Sequence, residues 1–374
     1  MKNPIVVLGS IVSLLSPALQ AQQPRREFSG PPQASIEEPF SQIGPLRLFD
    51  ADRGIVVDRT ERTVTLIDFR TGRRQAIGRA GEGPGEYRYP RSVVAAANGN
   101  SWLYDASLAR LLLVDPQGRI TSSRSVPSIP SGARELVGTD AKGALYFVGN
   151  EFDRERGSFA DSVVVVRWDP GTDMQQTLRR VWSGGRVVVT RPSGPASFAR
   201  GVTPFPHVDH WVVLPDGKFV MIKHEPYQVE VTDPTGATRP GPVIATTPVP
   251  VSARDRAEYR EANANRTAGA LMVGGGTGPM RQAMEFRDEE FPAHKPTVMH
   301  QHVLAAANGE IWIGRSQPAA AIGTIYDVLA SDGRKLREVR FADNVRVVAA
   351  TVTAVYVART ELDTGLMYLE RHAQ

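Results

Sequence analysis

Two neighbouring stretches decide the fold: NGNSWLYD (residues 98–105) and LLLVDPQGR (residues 111–119). Each contains a short apolar run of the kind that forms a buried β-strand, and the second ends in the turn sequence Asp-Pro-Gln-Gly. In such a turn, Asp accepts hydrogen bonds from the backbone ahead, Pro presets its φ angle and Gly tolerates a positive φ. The two stretches predict consecutive antiparallel strands joined by tight turns.

The same unit recurs along the chain, in copies that begin near residues 53, 98, 142, 216, 308 and 353. Five of the six copies carry a glycine at the equivalent position: Gly54, Gly99, Gly143, Gly217 and Gly309. The first two intervals are 45 and 44 residues, which matches one four-stranded propeller blade of about 40–50 residues. We therefore predict an all-β protein, a six-bladed β-propeller with four-stranded antiparallel blades and one partly helical insertion.

The sixth copy reaches Gln374 after its third strand, so one outer strand has to come from elsewhere. An unpaired edge is a liability, which closed rings avoid by borrowing a strand. The free candidate is the segment 34–43, which precedes the first copy. Pro39 within it suits an outermost position, because proline is tolerated at sheet edges. We expect this segment to close the last blade.

The first 21 residues have the features of a signal peptide: Lys2, then an apolar run from Ile5 to Leu15, then a small residue at Ala21. The run is shorter than the roughly 20 residues that span a bilayer. Cleavage after Ala21 would leave residues 22–374 as a single propeller domain without a transmembrane segment. The predicted location is the periplasm or the extracellular space.

A long insertion, about residues 248–296, separates the fourth copy from the fifth. The stretch 254–266 is polar and rich in helix-forming residues, and 280–291 is a second candidate helix. Long loops in compact domains are usually functional or disordered. We expect the insertion to lie outside the repeat and to contribute to recognition.

Composition excludes several functions. The chain has no cysteine, which removes disulfides, zinc–thiolate sites and thiol nucleophiles. Lys and Arg number 44 against 40 Asp and Glu, without a basic run, so nucleic acid is not an expected partner. The sequence also lacks a recognisable catalytic motif, including the Gly-x-Ser-x-Gly elbow.

The string IGRAGEGPGEYRYPRSVV (residues 77–94) resembles the glycine-rich blade junction of NHL-repeat and TolB-like six-bladed propellers. Gly81, Gly83, Gly85, Tyr87 and Pro90 stand at the matching positions. Exported bacterial six-bladed propellers are the most similar group. The resemblance implies the fold and is almost silent on activity.

Candidate ligand-binding residues lie where each innermost strand is expected to begin. His210 and His302 each precede the marker glycine of their copy by seven residues. Alternation along a strand then leaves two arrangements open. Either His210 and His302 face the central channel, together with His300 two residues away, or a polar set faces it. That set consists of Arg91, Glu135, Asp209 and Gln301.

Resemblance to two propeller families implies possible metals. Propellers such as peptidylglycine α-amidating lyase place zinc-binding histidines near the positions of His210, His300 and His302. Gluconolactonase- and regucalcin-like propellers bind Ca²⁺ through acidic and amide side chains, which Glu135, Asp209 and Asn344 could supply here. Zinc and calcium are therefore the candidate cofactors.

Two functions follow from these observations. The leading hypothesis is an exported scaffold that binds a small polar ligand or a protein at the channel mouth and the 248–296 insertion. The alternative is a metal-dependent lyase or lactone hydrolase that uses the same channel. Three metal ligands on three blades would favour the enzyme.

Overall fold

The computed structural model describes residues 25–28, 30–127, 133–153, 158–182, 204–263, 286–342 and 344–374. The predicted signal peptide and its cleavage site lie outside these residues. Within them, no helix combines the length and the apolar character needed to cross a membrane.

Two short strands precede the first two blades. The strands up to the end of blade 2 are β1 (Arg25–Phe28), β2 (Ala34–Ser35), β3 (Leu46–Leu48), β4 (Arg53–Asp58), β5 (Thr63–Asp68), β6 (Arg73–Ala76), β7 (Arg79–Ala80), β8 (Glu86–Tyr87), β9 (Pro90–Ala95), β10 (Ser101–Asp105), β11 (Arg110–Val114) and β12 (Ile120–Ser125). Blade 1 is β3–β6 and blade 2 is β9–β12, each in sequential antiparallel order.

Blades 3 and 4 repeat this order. Their strands are β13 (Ala133–Thr139), β14 (Leu145–Asp153), β15 (Ser158–Trp168), β16 (Gln175–Trp182), β17 (His210–Val213), β18 (Phe219–Lys223), β19 (Gln228–Thr232) and β20 (Thr238–Pro240). Blade 3 is β13–β16 and blade 4 is β17–β20.

Blades 5 and 6 contain the remaining strands, β21 (Val298–Ala305), β22 (Ile311–Arg315), β23 (Thr324–Leu329), β24 (Lys335–Phe341), β25 (Val345–Ala350), β26 (Ala354–Thr360) and β27 (Met367–Ala373). Blade 5 is β21–β24, and blade 6 is β25–β27 with β2. The prediction of a six-bladed propeller with four-stranded antiparallel blades is confirmed.

The predicted turns form through the residues that identified them. In blade 2, the Asp115 carboxylate accepts the backbone N–H groups of Gln117 and Arg119, both at 2.9 Å, and Gly118 adopts a φ of 80°. A side chain there would be strained, because this φ lies in the left-handed region. Local turn chemistry therefore sets the register of the third and fourth strands.

Apolar side chains between neighbouring blades form the core. Between blades 1 and 2, Ile55 and Val57 pack against Tyr87, Val93 and Leu103, all of them buried. Equivalent clusters fill the interfaces between blades 4 and 5 and between blades 5 and 6. Burial of this apolar surface, about 25 cal/mol per Å², holds the blades in a ring.

The ring closes as predicted. β2 pairs antiparallel with β27, the third strand of blade 6, and Phe40 bridges Met367. Ile36, Phe40 and Ile43 are at most 1% exposed and pack with blade 6 and blade 1. The segment 34–43 thus completes the last blade and anchors it to the first.

An additional strand was not predicted. β1 pairs in parallel with β24, so blade 5 has five strands. Phe28 stacks on Phe341 with ring centroids 4.8 Å apart, and Arg26 donates to the Ala373 carbonyl at 3.3 Å. β1 therefore spans from blade 5 to the end of blade 6.

The glycine-rich junction has a structural role. β7 and β8 pair in parallel, and the Glu86 carboxylate accepts the Gly83 N–H at 2.8 Å. The buried Tyr87 hydroxyl accepts the Val64 N–H at 3.1 Å. The junction fastens blade 2 to blade 1.

The connection between blades 4 and 5 contains helix α1 (Ala253–Asn263), within the predicted helical stretch. In the second predicted helix, residues 280–285 lie outside the described part of the chain, and Asp288–Glu290 form one 3-10 turn. Around α1, aromatic rings of Phe205, Tyr259, Phe286 and Phe291 contact one another at 5.2–6.5 Å between centroids. The insertion therefore packs its aromatic residues on Phe205, in the segment that enters blade 4.

Candidate functional site at the channel mouth

The innermost strands of the six blades contact one another around the central channel. Because the first two strands of each blade are antiparallel, the start of the first and the end of the second lie at the same edge. We call the face that carries these edges the upper face. The insertion, which joins the outer strand of blade 4 to the innermost strand of blade 5, reaches the same face.

Arg59 connects three blades at the upper face. It follows β4 of blade 1 and pairs with Glu135 of blade 3, with 2.7 Å between Nη2 and Oε1. Its Nε donates to the Arg91 carbonyl of blade 2 at 3.2 Å. The predicted residues Arg91 and Glu135 thus come together through a residue that sequence reasoning missed.

Arg346, the second residue of the innermost strand of blade 6, is also part of this site. It donates from Nη2 to the carbonyl of Ile43. Burial lowers the pKa of Arg346, and the nearby positive charge of Arg59 lowers it further, against an opposing influence of Tyr326. Two guanidinium groups from adjacent blades therefore lie within electrostatic reach of each other.

His302 of blade 5 is held by a buried tyrosine. Its Nδ1 lies 2.7 Å from the Tyr326 hydroxyl, which accepts the Val347 N–H at 3.0 Å. The Tyr326 hydroxyl therefore bridges His302 of blade 5 and the backbone of blade 6, and it fixes the orientation of the imidazole ring. Burial lowers the pKa of His302 to about 4, with further lowering by Arg346 and His300, so this ring is neutral at pH 7.

His210 and His300 lie near each other, with ring centroids 5.9 Å apart. Burial lowers the pKa of His210 to about 3, and the neighbouring rings of His224, His300 and His302 contribute. Burial also lowers the pKa of His300, while Glu135 opposes this shift. These contacts join blades 3, 4 and 5, and both imidazoles are neutral at pH 7.

We define the mouth cluster as the residues that these contacts join. Its members are Arg59, Arg91, Glu135, His210, His300, His302 and Arg346. Each of the six blades contributes at least one of them. Members of both sequence-predicted sets, the histidines and the polar set, belong to it.

Asp209 and Gln301 are placed differently. The charged neighbours of Asp209 are Lys223, Arg179 and Glu230, and burial raises the pKa of its carboxyl. Asp209 therefore belongs to a charged group between blades 3 and 4. Gln301 is exposed at the upper face.

The alternation assumed for His300 and His302 does not hold. Gln301 between them has a φ of 64°, and the pairing of β21 with β22 shifts register between Val298 and Val303. A bulge of this kind breaks the two-residue side-chain period. His300 consequently neighbours His210, whereas His302 bonds to Tyr326.

The proposed metal ligands do not form a ligand set. Among the residues that the structure describes, no group of three or more His, Asp and Glu side chains could hold a metal ion. His210, His300 and His302 therefore do not form a three-histidine metal site in the described structure.

Other polar residues at the upper face are structural. Asp58 accepts the Gln42 N–H at 3.0 Å, and His224 bonds through Nε2 to the Val208 carbonyl at 2.6 Å. Asp105 holds the entering chain of blade 2 in the same way. These three buried residues fasten the segment that enters blades 1, 2 and 4 to the end of the second strand of the same blade.

Arg59 and Arg346 are the site residues that sequence reasoning missed. Arg346 occupies the same place in β25 as Arg91 in β9, the second position of an innermost strand. The sequence repeat alone could therefore have identified Arg346 as a candidate. Arg59 follows a second strand, and its approach to the mouth depends on the geometry of the closed ring.

No protein-family model and no curated protein sequence matches this chain. Similar solved structures include a calcium-binding protein, regucalcin, from Agrobacterium tumefaciens, with 11% identity, coverage of 94% of this chain and 96% of that chain, and a TM-score of 0.46. A gluconolactonase from Xanthomonas campestris has 9% identity, coverage of 91% and 88%, and a TM-score of 0.47. A member of the DUF4221 family from Bacteroides vulgatus has 10% identity, coverage of 91% and 95%, and a TM-score of 0.49. Similarity at these levels concerns architecture only, and the strand pairing itself shows that the chain is a six-bladed β-propeller.

Proposed function

We propose that this protein is an exported binding propeller that holds a polar ligand at the mouth cluster. The observation that carries the proposal is the convergence of polar residues from all six blades on one end of the channel. Binding sites in proteins are concave and place a few convergent polar groups on a rigid scaffold. Here the scaffold is the ring of innermost strands.

The insertion supports recognition at the same face. His207, which precedes blade 4, lies within 3.2 Å of the His294 carbonyl, with Nε2 as the ring atom. Lys295 pairs with the buried Asp255 of α1 at 2.5 Å. We infer that the insertion forms one wall of the binding region, on the side of blades 4 and 5.

A library of small polar metabolites, screened by thermal shift, tests this function. We expect a subset to raise the melting temperature of the wild type and to lose the effect in His210→Asn and His300→Asn. His294→Asn is the matched control, because the His294 side chain is exposed. Hits that are retained in both cluster variants would place the binding site elsewhere and refute the proposal.

The alternative function is a metal-dependent lyase or lactone hydrolase in the same channel. It would require a metal-ligand set, and no group of three or more His, Asp and Glu side chains among the described residues is placed to form one. Elemental analysis of the purified protein separates the two functions. Stoichiometric zinc or calcium, removed by a chelator together with ligand binding, would favour the enzyme.

Export is the remaining part of the proposal. We expect mass spectrometry of the protein from periplasm or medium to find an N-terminus at Gln22. Recovery of the chain only in the cytoplasm, beginning at Met1, would contradict it.

A further inference from the structure

Resting on the binding function proposed above, we propose that the ligand carries an oxyanion group (phosphate, sulfate or carboxylate) bound by the guanidinium groups of Arg59, Arg91 and Arg346. The three arginines come from blades 1, 2 and 6. We call them the arginine triad.

The first argument is charge. The mouth cluster contains one carboxylate, Glu135, and three arginines, and this carboxylate is already paired with Arg59 at 2.7 Å. The hydrogen bond of Arg346 goes to a neutral backbone carbonyl, that of Ile43. Like charges brought together in a partly buried site destabilise each other unless an anion lies between them. The mouth cluster therefore favours a negatively charged ligand.

The second argument is an unpaired donor. The Nε of Arg91 is buried and has no hydrogen-bond partner, and the same holds for Nε of Arg47 on the adjacent innermost strand. A buried donor without a partner costs free energy. Guanidinium groups bind oxyanions through Nε together with a terminal nitrogen, in a bidentate geometry. An oxyanion would supply the acceptor that Arg91 lacks.

The third argument is the environment of His302. Its Nδ1 is engaged by the Tyr326 hydroxyl at 2.7 Å, so Nε2 is the ring nitrogen left for a ligand. In the tautomer with its proton on Nε2, this ring would donate to an anion. Its neighbour Arg346 adds a charged donor. The donors at the blade 5–6 side of the mouth thus suit an oxyanion.

The experiment uses the full-length mature protein and three probes: inorganic phosphate, sulfate and citrate, titrated at constant ionic strength against sodium chloride. Calorimetry or thermal shift should show saturable binding of at least one probe. We expect the double variant Arg91→Gln/Arg346→Gln to weaken binding at least about tenfold, because a hydrogen bond to a charged group has a value of that order. The preferred probe distinguishes a tetrahedral oxyanion from a carboxylate.

Two further variants test the direction and the location of the effect. Glu135→Gln removes the competing carboxylate and should tighten anion binding a few-fold, the opposite direction to the triad variants. Arg119→Gln, an exposed arginine on the opposite face that pairs with Asp115, should leave binding unchanged. If the double variant unfolds, Arg59→Gln alone is used in its place, with circular dichroism as the check of folding.

Absence of saturable binding by all three probes would overturn the inference, and so would equal binding by wild type and triad variants. The proposed function fails separately. Neutral metabolites that bind the wild type and are lost in His300→Asn would preserve a binding propeller while removing its preference for anions.

Discussion

Two groups of arginines differ in their charged neighbours. One group lies between the strands of a blade, and the other lies at the channel mouth. In blade 5, Arg315 lies 3.2 Å from Asp327 and 2.6 Å from Glu338, and Lys335 lies 2.7 Å from Asp327. At the mouth, Arg346 bonds to a backbone carbonyl and has Arg59 as its charged neighbour. Cations in blade 5 are thus neutralised by carboxylates of the same blade, whereas Arg346 at the mouth lies beside a second cation, and we propose that its charge is available to a ligand.

The largest expected effect on stability comes from breaking the charged group around Asp327 in blade 5. Asp327 has no exposed surface, and it pairs with Arg315 and Lys335 and accepts from the Tyr227 hydroxyl at 3.1 Å. Asp327→Asn removes the charge that neutralises two cations. We expect the free energy of unfolding to fall by about 3 kcal/mol, as for other broken buried pairs. Chemical denaturation measures it.

Asp332→Asn is the control for this variant, since Asp332 is an exposed turn residue beside the same blade. Its unfolding free energy should stay close to that of the wild type. Anion binding should be unchanged in Asp327→Asn, provided that the protein is folded. A loss of binding without a loss of stability would contradict the division between the two groups of arginines.

An effect of intermediate size is expected in the pH dependence of the unfolding free energy. The pKa of His210 is lowered from 6.5 to about 3 in the folded protein, so the unfolded chain binds more protons between these values. The stabilisation from the neutral ring is therefore complete above about pH 6.5 and decreases as the pH falls. Wild type should lose up to about 1.5 kcal/mol more than His210→Asn between pH 6.5 and 5.

Urea denaturation at the two pH values measures this difference. His294→Asn is the matched histidine variant, because the His294 side chain is exposed. It should follow the wild type. Identical pH dependence of His210→Asn and wild type would show that His210 is as easily protonated in the fold as in the unfolded chain.

The smallest effect on stability is expected at the mouth. Arg346→Gln loses a hydrogen bond to the Ile43 carbonyl but also removes the repulsion with Arg59. These contributions oppose each other, so the unfolding free energy should change by less than about 1 kcal/mol. Arg346→Gln and Asp327→Asn thus form a pair: one loses anion binding and the other loses stability. A large destabilisation by Arg346→Gln would assign this arginine to the fold.

Most of the fold was predictable because blades are specified by local chemistry. Turn residues such as Asp115 and Gly118 and the strands beside them lie close together in sequence, and the missing outer strand of blade 6 pointed to residues 34–43. β1 was not predictable in this way. Its parallel pairing with β24 joins residues more than 300 positions apart, and no repeat position requires it.

The site was predictable only in part. Arg91 and Glu135 follow from their positions at the start of inner strands, and the structure places both in the mouth cluster. The contacts of His300 and His302 depend on the bulge at Gln301, which has a positive φ. Glutamine is not a residue type that favours positive φ, so the sequence does not predict the bulge. Arg59 belongs to the cluster because three blades meet there, which is a property of the closed ring.

Closure of blade 6 by β2 has a consequence for the order of folding. Ala34 pairs with Arg371, so one of the first strands to be synthesised cannot pair until one of the last strands is available. Contacts between such distant residues form slowly, because a long loop must close before they contribute. Blade 6 is completed only once residues 367–373 have been synthesised, and blade 1 lacks one of its two neighbours until then. Ring closure is therefore expected to be a late step in folding.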